Sequence, residues 1–254
     1  LEFILAAIKN KKHVVTANKA LLAEHGKKIM LAAERNNVQV FFEASVGGGI
    51  PIIHAMKVGL AANRIQSMLG ILNGTTNYIL TRMTQEGADY ATVLKDAQKL
   101  GFAEADPTLD VSGGDTAHKI SILSYLATKN WPVIKDIYTE GITGITAQDI
   151  QYASELGYII KLLAISKTSD KGLDVRVHPA MLPKDSLLAS VNGVFNAVMV
   201  SGDVVGTTMF YGRGAGMLPT ASAVVSDIIS LGKIISQKEL PNQVRATEYG
   251  YLSI

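Results

Sequence analysis

Apolar residues fall at helical spacing over residues 1–12, at Phe3, Ile4, Ala7 and Ile8, and the short run 13–16 (His-Val-Val-Thr) reads as a buried strand. Residues 21–36 predict one or two helices broken near Gly26, and residues 38–42 predict a second strand rich in β-branched and aromatic side chains. Strand, helix, strand in that order is the pattern of a parallel sheet with a crossover helix. Pro51 suits a first helical position, with a helix running from Ile52 towards Gly59. A strand at 64–72 follows, then helices at 78–83, at 90–100 (closed by Gly101) and at 115–129, the last with Ile122, Leu123 and Leu126 on one side. Trp131-Pro132 ends that helix, and a loop with a short helix occupies 144–156. Four strands are predicted next, at 159–166, 173–181, 189–201 and 204–210, with turns at Asp170-Lys171-Gly172 and Ser201-Gly202-Asp203, before a final helix at 219–231. The pattern is an α/β (α+β) chain: the end of a doubly wound parallel sheet, then a mixed β-sheet with helices on one face.

Composition narrows the classes. Of 254 residues, 48% are apolar and 18% charged, enough for a large core and too apolar for disorder. The net charge of +2, with no long basic run, argues against nucleic acid as a partner. The absence of Cys removes disulfide and thiolate chemistry, and a reducing, cytoplasmic setting is expected. No apolar run approaches the roughly 18–20 residues that cross a bilayer, so no membrane partner is expected. The N-terminus is no signal peptide, because its positive charges follow the apolar part. The chain starts at Leu and stops at YGYLSI, and it is expected to be a piece of a longer protein.

Chemistry concentrates in the stretch GFAEADPTLDVSGGDTAHK, residues 101–119. Glu104, Asp106, Asp110 and Asp115 would repel one another unless cations sit among them, and a solvated acidic loop is the plain alternative. On a helix Asp115 and Lys119 are i and i+4, which in isolation is an ordinary ion pair. Three further segments carry small residues at element junctions. EASVGGGIP (43–51) allows close backbone approach or simply a tight turn. NGTTN (73–77) can cap a helix or aim its N–H groups at an anion. YGRGAG (211–216) opens a helix and is a weak signal taken alone. The G-x-G-x-x-G turn that opens a dinucleotide-binding domain is missing, since GGGIP has neither the spacing nor the following residue.

Taken together, VVTANK (14–19), EASVGGGIP (43–51), NGTTNYI (73–79), GFAEADPTLDVSGGDTAHK (101–119) and GRGAG (212–216) resemble the homoserine dehydrogenases, in the family's order and over nearly the whole chain. The resemblance implies reduction of L-aspartate 4-semialdehyde to L-homoserine with NADPH or NADH, on the route to threonine and methionine. It implies an incomplete Rossmann-type NAD(P)-binding domain at 1–50, a catalytic and dimerisation domain at 51–236, and a tail at 237–254 leading to a further C-terminal region. It assigns proton transfer to Lys119, a second cation reaching nicotinamide and substrate to Lys19, and the orienting of Lys119 to Asp115. Glu104 would bind the substrate ammonium, Asp110 would hold the substrate, and Thr75 would line the pocket. Gly216 would lie near the nicotinamide. Glu43, Val46, Gly48 and Ile50 would hold a monovalent cation, usually sodium, largely through backbone carbonyls. A homodimer or higher homo-oligomer is implied, and a fragment without its cofactor domain would be nearly inactive. An aspartate-semialdehyde dehydrogenase would need a Cys nucleophile, which is lacking. An isolated dimerisation or amino-acid-binding module is the other reading.

Overall fold

The computed structural model describes residues 1–170 and 172–239. The turn residue Lys171 and most of the expected tail, 240–254, lie outside the described residues.

The N-terminal part is one strand–helix–strand unit. Helix α1 (Glu2–Lys9) packs on α2 (Lys19–Asn36), which connects β1 (Val14–Val15) to β2 (Val40–Phe41). The two strands pair in parallel, Val14 opposite Val40. Helix α2 is continuous, against the expected break at Gly26. The glycine serves packing there: a Cβ at Gly26 would stand 2.2 Å from the Trp131 ring, which lies against the helix and stacks on Tyr125. After β2 a single 3₁₀ turn (Glu43–Ser45) leads to α3 (Ile52–His54), which Pro51 immediately precedes and which continues as π-helix to Gly59.

The second part is a six-stranded sheet in the order β4-β6-β5-β3-β7-β8. Its strands are β3 (Ile65–Ile71), β4 (Tyr138–Thr139), β5 (Tyr158–Ser169), β6 (Gly172–Pro183), β7 (Phe195–Gly202) and β8 (Gly206–Arg213). All pairings are antiparallel except the short edge pair β4 and β6, so the sheet is mixed, as expected. Strand β7 starts at Phe195, not near 189, because residues 189–194 form turns anchored on a helix. Helices α4 (Gly74–Glu86), α7 (Gly114–Thr128) and α8 (Ala147–Glu155) cover one face, and α5 (Tyr90–Lys99) backs α4. Ile160, Leu162 and Ala164 of β5 point into the large core beneath these helices. Their alternates Leu163 and Ile165 join a second cluster with Ile71, Leu188, Val191 and Ala197, to which no helix contributes. Helix α7 is buried nearly all round, which is why its apolar pattern is weak in the sequence.

Helix α9 (Met217–Glu239) corrects one expectation. Residues Met217–Ser236 are long and apolar enough to cross a membrane by length and composition, although Asp227 and Lys233 interrupt every apolar run. It is the one such helix among the described residues, and it is docked: buried Asp227 accepts the Glu43 N–H at 2.8 Å.

Candidate active site

Four helices start at the same place. Helix α4 begins at NGTTN, earlier than the predicted residue 78, because Asn73 caps it and the small polar residues form its first turn. The Asn73 Oδ1 accepts the Thr76 N–H at 2.8 Å. The short helix α6 (Thr108–Val111) presents Asp110, and exposed Asp106 accepts the Thr108 N–H at its start, a local role only. Helix α7 begins one residue before Asp115, so the Asp115 carboxylate sits in its first turn, where the helix dipole favours it. Helix α2 brings Lys19 from the N-terminal part, with Asn18 capping it. Between these elements and the 213–216 turn lies a cavity of about 430 Å³, lined by Lys19, Thr75, Glu104, Asp110, Asp115, Lys119 and Gly216, with Asn73, Gly74, Phe102, Val194 and Arg213 among the remaining walls.

The charges are tightly arranged. Lys119 Nζ lies 2.7 Å from Asp115 Oδ2 and donates to the Leu72 carbonyl at 2.7 Å. Lys19 Nζ stands 3.2 Å from Asp115 Oδ1, so one buried carboxylate bridges two ammonium groups. Asn73 Nδ2 donates to Asp110 Oδ1 at 2.7 Å and to Asp115 Oδ2 at 2.9 Å, tying the two acids together. Thr75 turns its hydroxyl to the Phe102 carbonyl at 2.6 Å, which fixes the loop carrying Glu104. The two aspartates are pushed apart electrically. Burial favours protonated Asp110, and the neighbouring Asp115 charge adds to this against the Asn73 bond, so its pKa is raised. Burial acts the same way on Asp115, but Lys119, Asn73 and Lys19 outweigh it and hold its pKa below the usual carboxylate range.

All seven residues expected around substrate and nicotinamide therefore meet in one cavity. Glu43, Val46, Gly48 and Ile50 do not line it; they form a buried turn behind it. The Glu43 carboxylate accepts the Ile53 and His54 N–H groups at 2.8 and 2.7 Å and so caps α3. Gly49 N–H donates to the Arg213 carbonyl at 3.0 Å, and a Cβ at Gly48 would stand 2.6 Å from the Gly214 backbone. The turn thus supports the 213–216 wall of the cavity. His118 is absent from the lining. Sequence reasoning missed Asn73 and Arg213. Asn73 had a signal, since it heads a polar run at a strand-to-helix junction and is a preferred cap residue; Arg213 had none beyond its glycine neighbours.

Comparison with known proteins agrees with this arrangement. The family model described as homoserine dehydrogenase matches residues 51–229, and that described as homoserine dehydrogenase, NAD binding domain, matches residues 1–43. Homoserine dehydrogenase of Neisseria gonorrhoeae is 55% identical over 234 residues, 92% of this chain and 54% of the relative. That of Synechocystis is 55% identical over 240 residues, 93% of this chain and 55% of the relative. The crystal structure of a homoserine dehydrogenase from Thiobacillus denitrificans superposes with a TM-score of 0.91 at 50% identity, over 94% of this chain and 56% of that one. A hyperthermophilic archaeal homoserine dehydrogenase in complex with NADPH gives 0.80 at 30% identity, over 95% and 69%. The chain spans about half the length of the Neisseria and Synechocystis relatives.

Proposed function

The chain belongs to the homoserine dehydrogenase family, and from that premise we propose that it forms the substrate-binding part of an NAD(P)-dependent oxidoreductase interconverting L-aspartate 4-semialdehyde and L-homoserine. The observation that carries this reading is Lys119. An ammonium has three N–H donors. Two of those on Lys119 are taken, by Asp115 and the Leu72 carbonyl. The third is available to the cavity that the side chain lines.

Hydride arriving at the aldehyde carbon drives the carbonyl electron pair onto oxygen. Lys119 stabilises that oxyanion and gives it a proton, leaving the alcohol; in the reverse direction it removes the hydroxyl proton. Asp115 keeps the lysine aimed. The substrate is an amino acid, and Glu104 and Asp110 are the acids available to its ammonium group. Of the two, Glu104 lies exposed on its loop and makes no side-chain ion pair among the described residues. Thr75 walls the pocket and holds that loop.

NAD(P), when bound, supplies or accepts the hydride. The residues present fit it: Lys19 and Gly216 line the same cavity, Gly216 at φ +119 opens α9, and residues 1–43 match an NAD-binding family model. We assign residues 1–50 to the cofactor side and 51–236 to the catalytic and dimerisation domain. A sodium ion is assigned to the carbonyls of Glu43, Val46, Gly48 and Ile50. These are hard oxygen donors, and among the described residues the Val46 and Gly48 carbonyls accept no hydrogen bond. The ion would stiffen the turn behind the 213–216 wall. A homodimer is assigned to the sheet face without helices, where Tyr211, paired with Ala197 of the second apolar cluster, is exposed.

The test is calorimetric titration of the full-length enzyme with homoserine in the presence of NADP. Glu104→Ala removes a charged hydrogen bond worth roughly 1.5–3 kcal/mol, so the Kd rises roughly 10- to 100-fold. Unchanged homoserine affinity in that variant contradicts the proposed pocket.

A further inference from the structure

We infer that Lys161 is a positioning residue for this pocket. It lies near the start of β5, inside the apolar run Tyr158-Ile-Ile-Lys-Leu-Leu-Ala-Ile, and is 1% exposed. Burying an ammonium costs several kcal/mol unless its donors are satisfied, and an apolar side chain of similar volume would avoid that cost. No carboxylate pairs with it among the described residues. Its partners are four neutral oxygens: the Val191 carbonyl at 2.6 Å, Asn77 Oδ1 and Asn192 Oδ1 at 3.1 Å each, and Thr81 Oγ1 at 3.5 Å. Burial without a counter-charge lowers its pKa to about 8.

The partners say what the lysine is for. Asn77 and Thr81 are one turn apart on α4, while Val191 and Asn192 belong to the turn that leads into β7. The same two α4 side chains continue the network. Asn77 Nδ2 donates to the Val191, Gly193 and Phe195 carbonyls at 3.1, 2.9 and 3.0 Å, and Thr81 Oγ1 accepts the Gly193 N–H at 3.1 Å. Lys161 is the positive centre that holds Asn77, Thr81 and the 191–195 turn to the sheet together. The turn then touches the start of α4: a Cβ on Gly74 would stand 2.8 Å from the Val194 carbonyl. Val194, Gly74 and Thr75 are cavity wall, and Asn73 next to them holds both aspartates. Lys161 itself does not line the cavity. It sets the position of α4 relative to the sheet, and thereby the side of the pocket facing Asp110 and Asp115.

The inference rests on the homoserine pocket proposed above. It is tested in the full-length enzyme by homoserine-dependent NADP reduction, with Lys161→Met and Asn192→Ala, and with Lys161→Ala assayed with and without added ethylammonium. Misplacement of a pocket wall by an ångström can cost roughly a hundredfold, and a smaller shift here raises the homoserine KM of Lys161→Met roughly tenfold, with the NADP KM and kcat within about threefold. Ethylammonium restores the homoserine KM of Lys161→Ala, and Asn192→Ala, at an exposed position that tolerates substitution, raises it about threefold. An unchanged homoserine KM in folded Lys161→Met overturns the inference. If that variant does not fold, an unchanged KM in Asn192→Ala overturns it instead. A lowered Tm with normal KM, or a KM that ethylammonium does not restore, also counts against it, as a role in stability alone would give. A wild-type enzyme that fails to oxidise homoserine refutes the functional reading itself, which separates the two failures.

Discussion

Asn73 ties both aspartates of the site to the start of α4, and its removal has a calculable effect. Asn73→Ala deletes the cap of α4 together with the two bonds from Nδ2 to Asp110 and Asp115. The cap is worth about 1 kcal/mol, and each bond to a carboxylate about 1.5 kcal/mol at the low end. The loss is therefore about 4 kcal/mol. Asp115 keeps its two lysines, whereas Asp110 loses the one hydrogen bond found to its side chain among the described residues. At 2–4 °C per kcal/mol for a chain of this size, the Tm falls by about 8–16 °C. Thermal unfolding at pH 7, followed by circular dichroism, measures it. Asn73→Ser keeps an oxygen for the Thr76 N–H but cannot reach both acids, so it recovers only the cap share, about 1 kcal/mol. A drop below about 2 °C for Asn73→Ala, or a wild-type Tm for Asn73→Ser, refutes the claim that this amide binds the two acids together.

Gly26→Ala gains about 1 kcal/mol of helix propensity but drives a methyl into the Trp131 ring, at an overpacking cost of roughly 1–3 kcal/mol. Chemical denaturation should show a net loss that disappears when Trp131 is replaced by Leu; a more stable Gly26→Ala in the native background contradicts the packing argument. Asp110 has a raised pKa in the fold, so its sign is opposite to that of a salt-bridged acid. Below its unfolded pKa of about 3.9 both states hold the proton and the group is neutral to stability. As pH rises beyond that value the unfolded state releases its proton first, and stability falls until the folded pKa is passed. The Tm of Asp110→Asn minus that of the native protein therefore grows between pH 3 and pH 7, while homoserine binding weakens. A difference that shrinks over that range reverses the assignment.

The architecture was legible where periodicity is strong. The strand–helix–strand start and the succession of strands over 159–210 gave a remnant parallel unit followed by a mixed sheet, and both are present. The errors have physical causes. Glycine in α2 resembled a break because the tryptophan it accommodates is 105 residues away in sequence, at 131 against 26. The segment 189–194 is apolar enough for a strand, yet its carbonyls are held by Asn77 and Lys161. The candidate site was legible because its residues stand in five short segments with a recognisable order. Asn73 and Lys161 were not, since each acts on neighbours that only folding supplies. A single lysine inside an eight-residue apolar run was the available signal for the latter.

The central claim is that Lys119 moves the proton at the substrate oxygen. Full-length Lys119→Ala, assayed for homoserine-dependent NADP reduction beside a homoserine titration, tests it. General acid–base catalysis contributes roughly 10²- to 10⁴-fold, so kcat should fall by that factor while homoserine still binds and the fold persists. Turnover within a few-fold of the native enzyme contradicts the account.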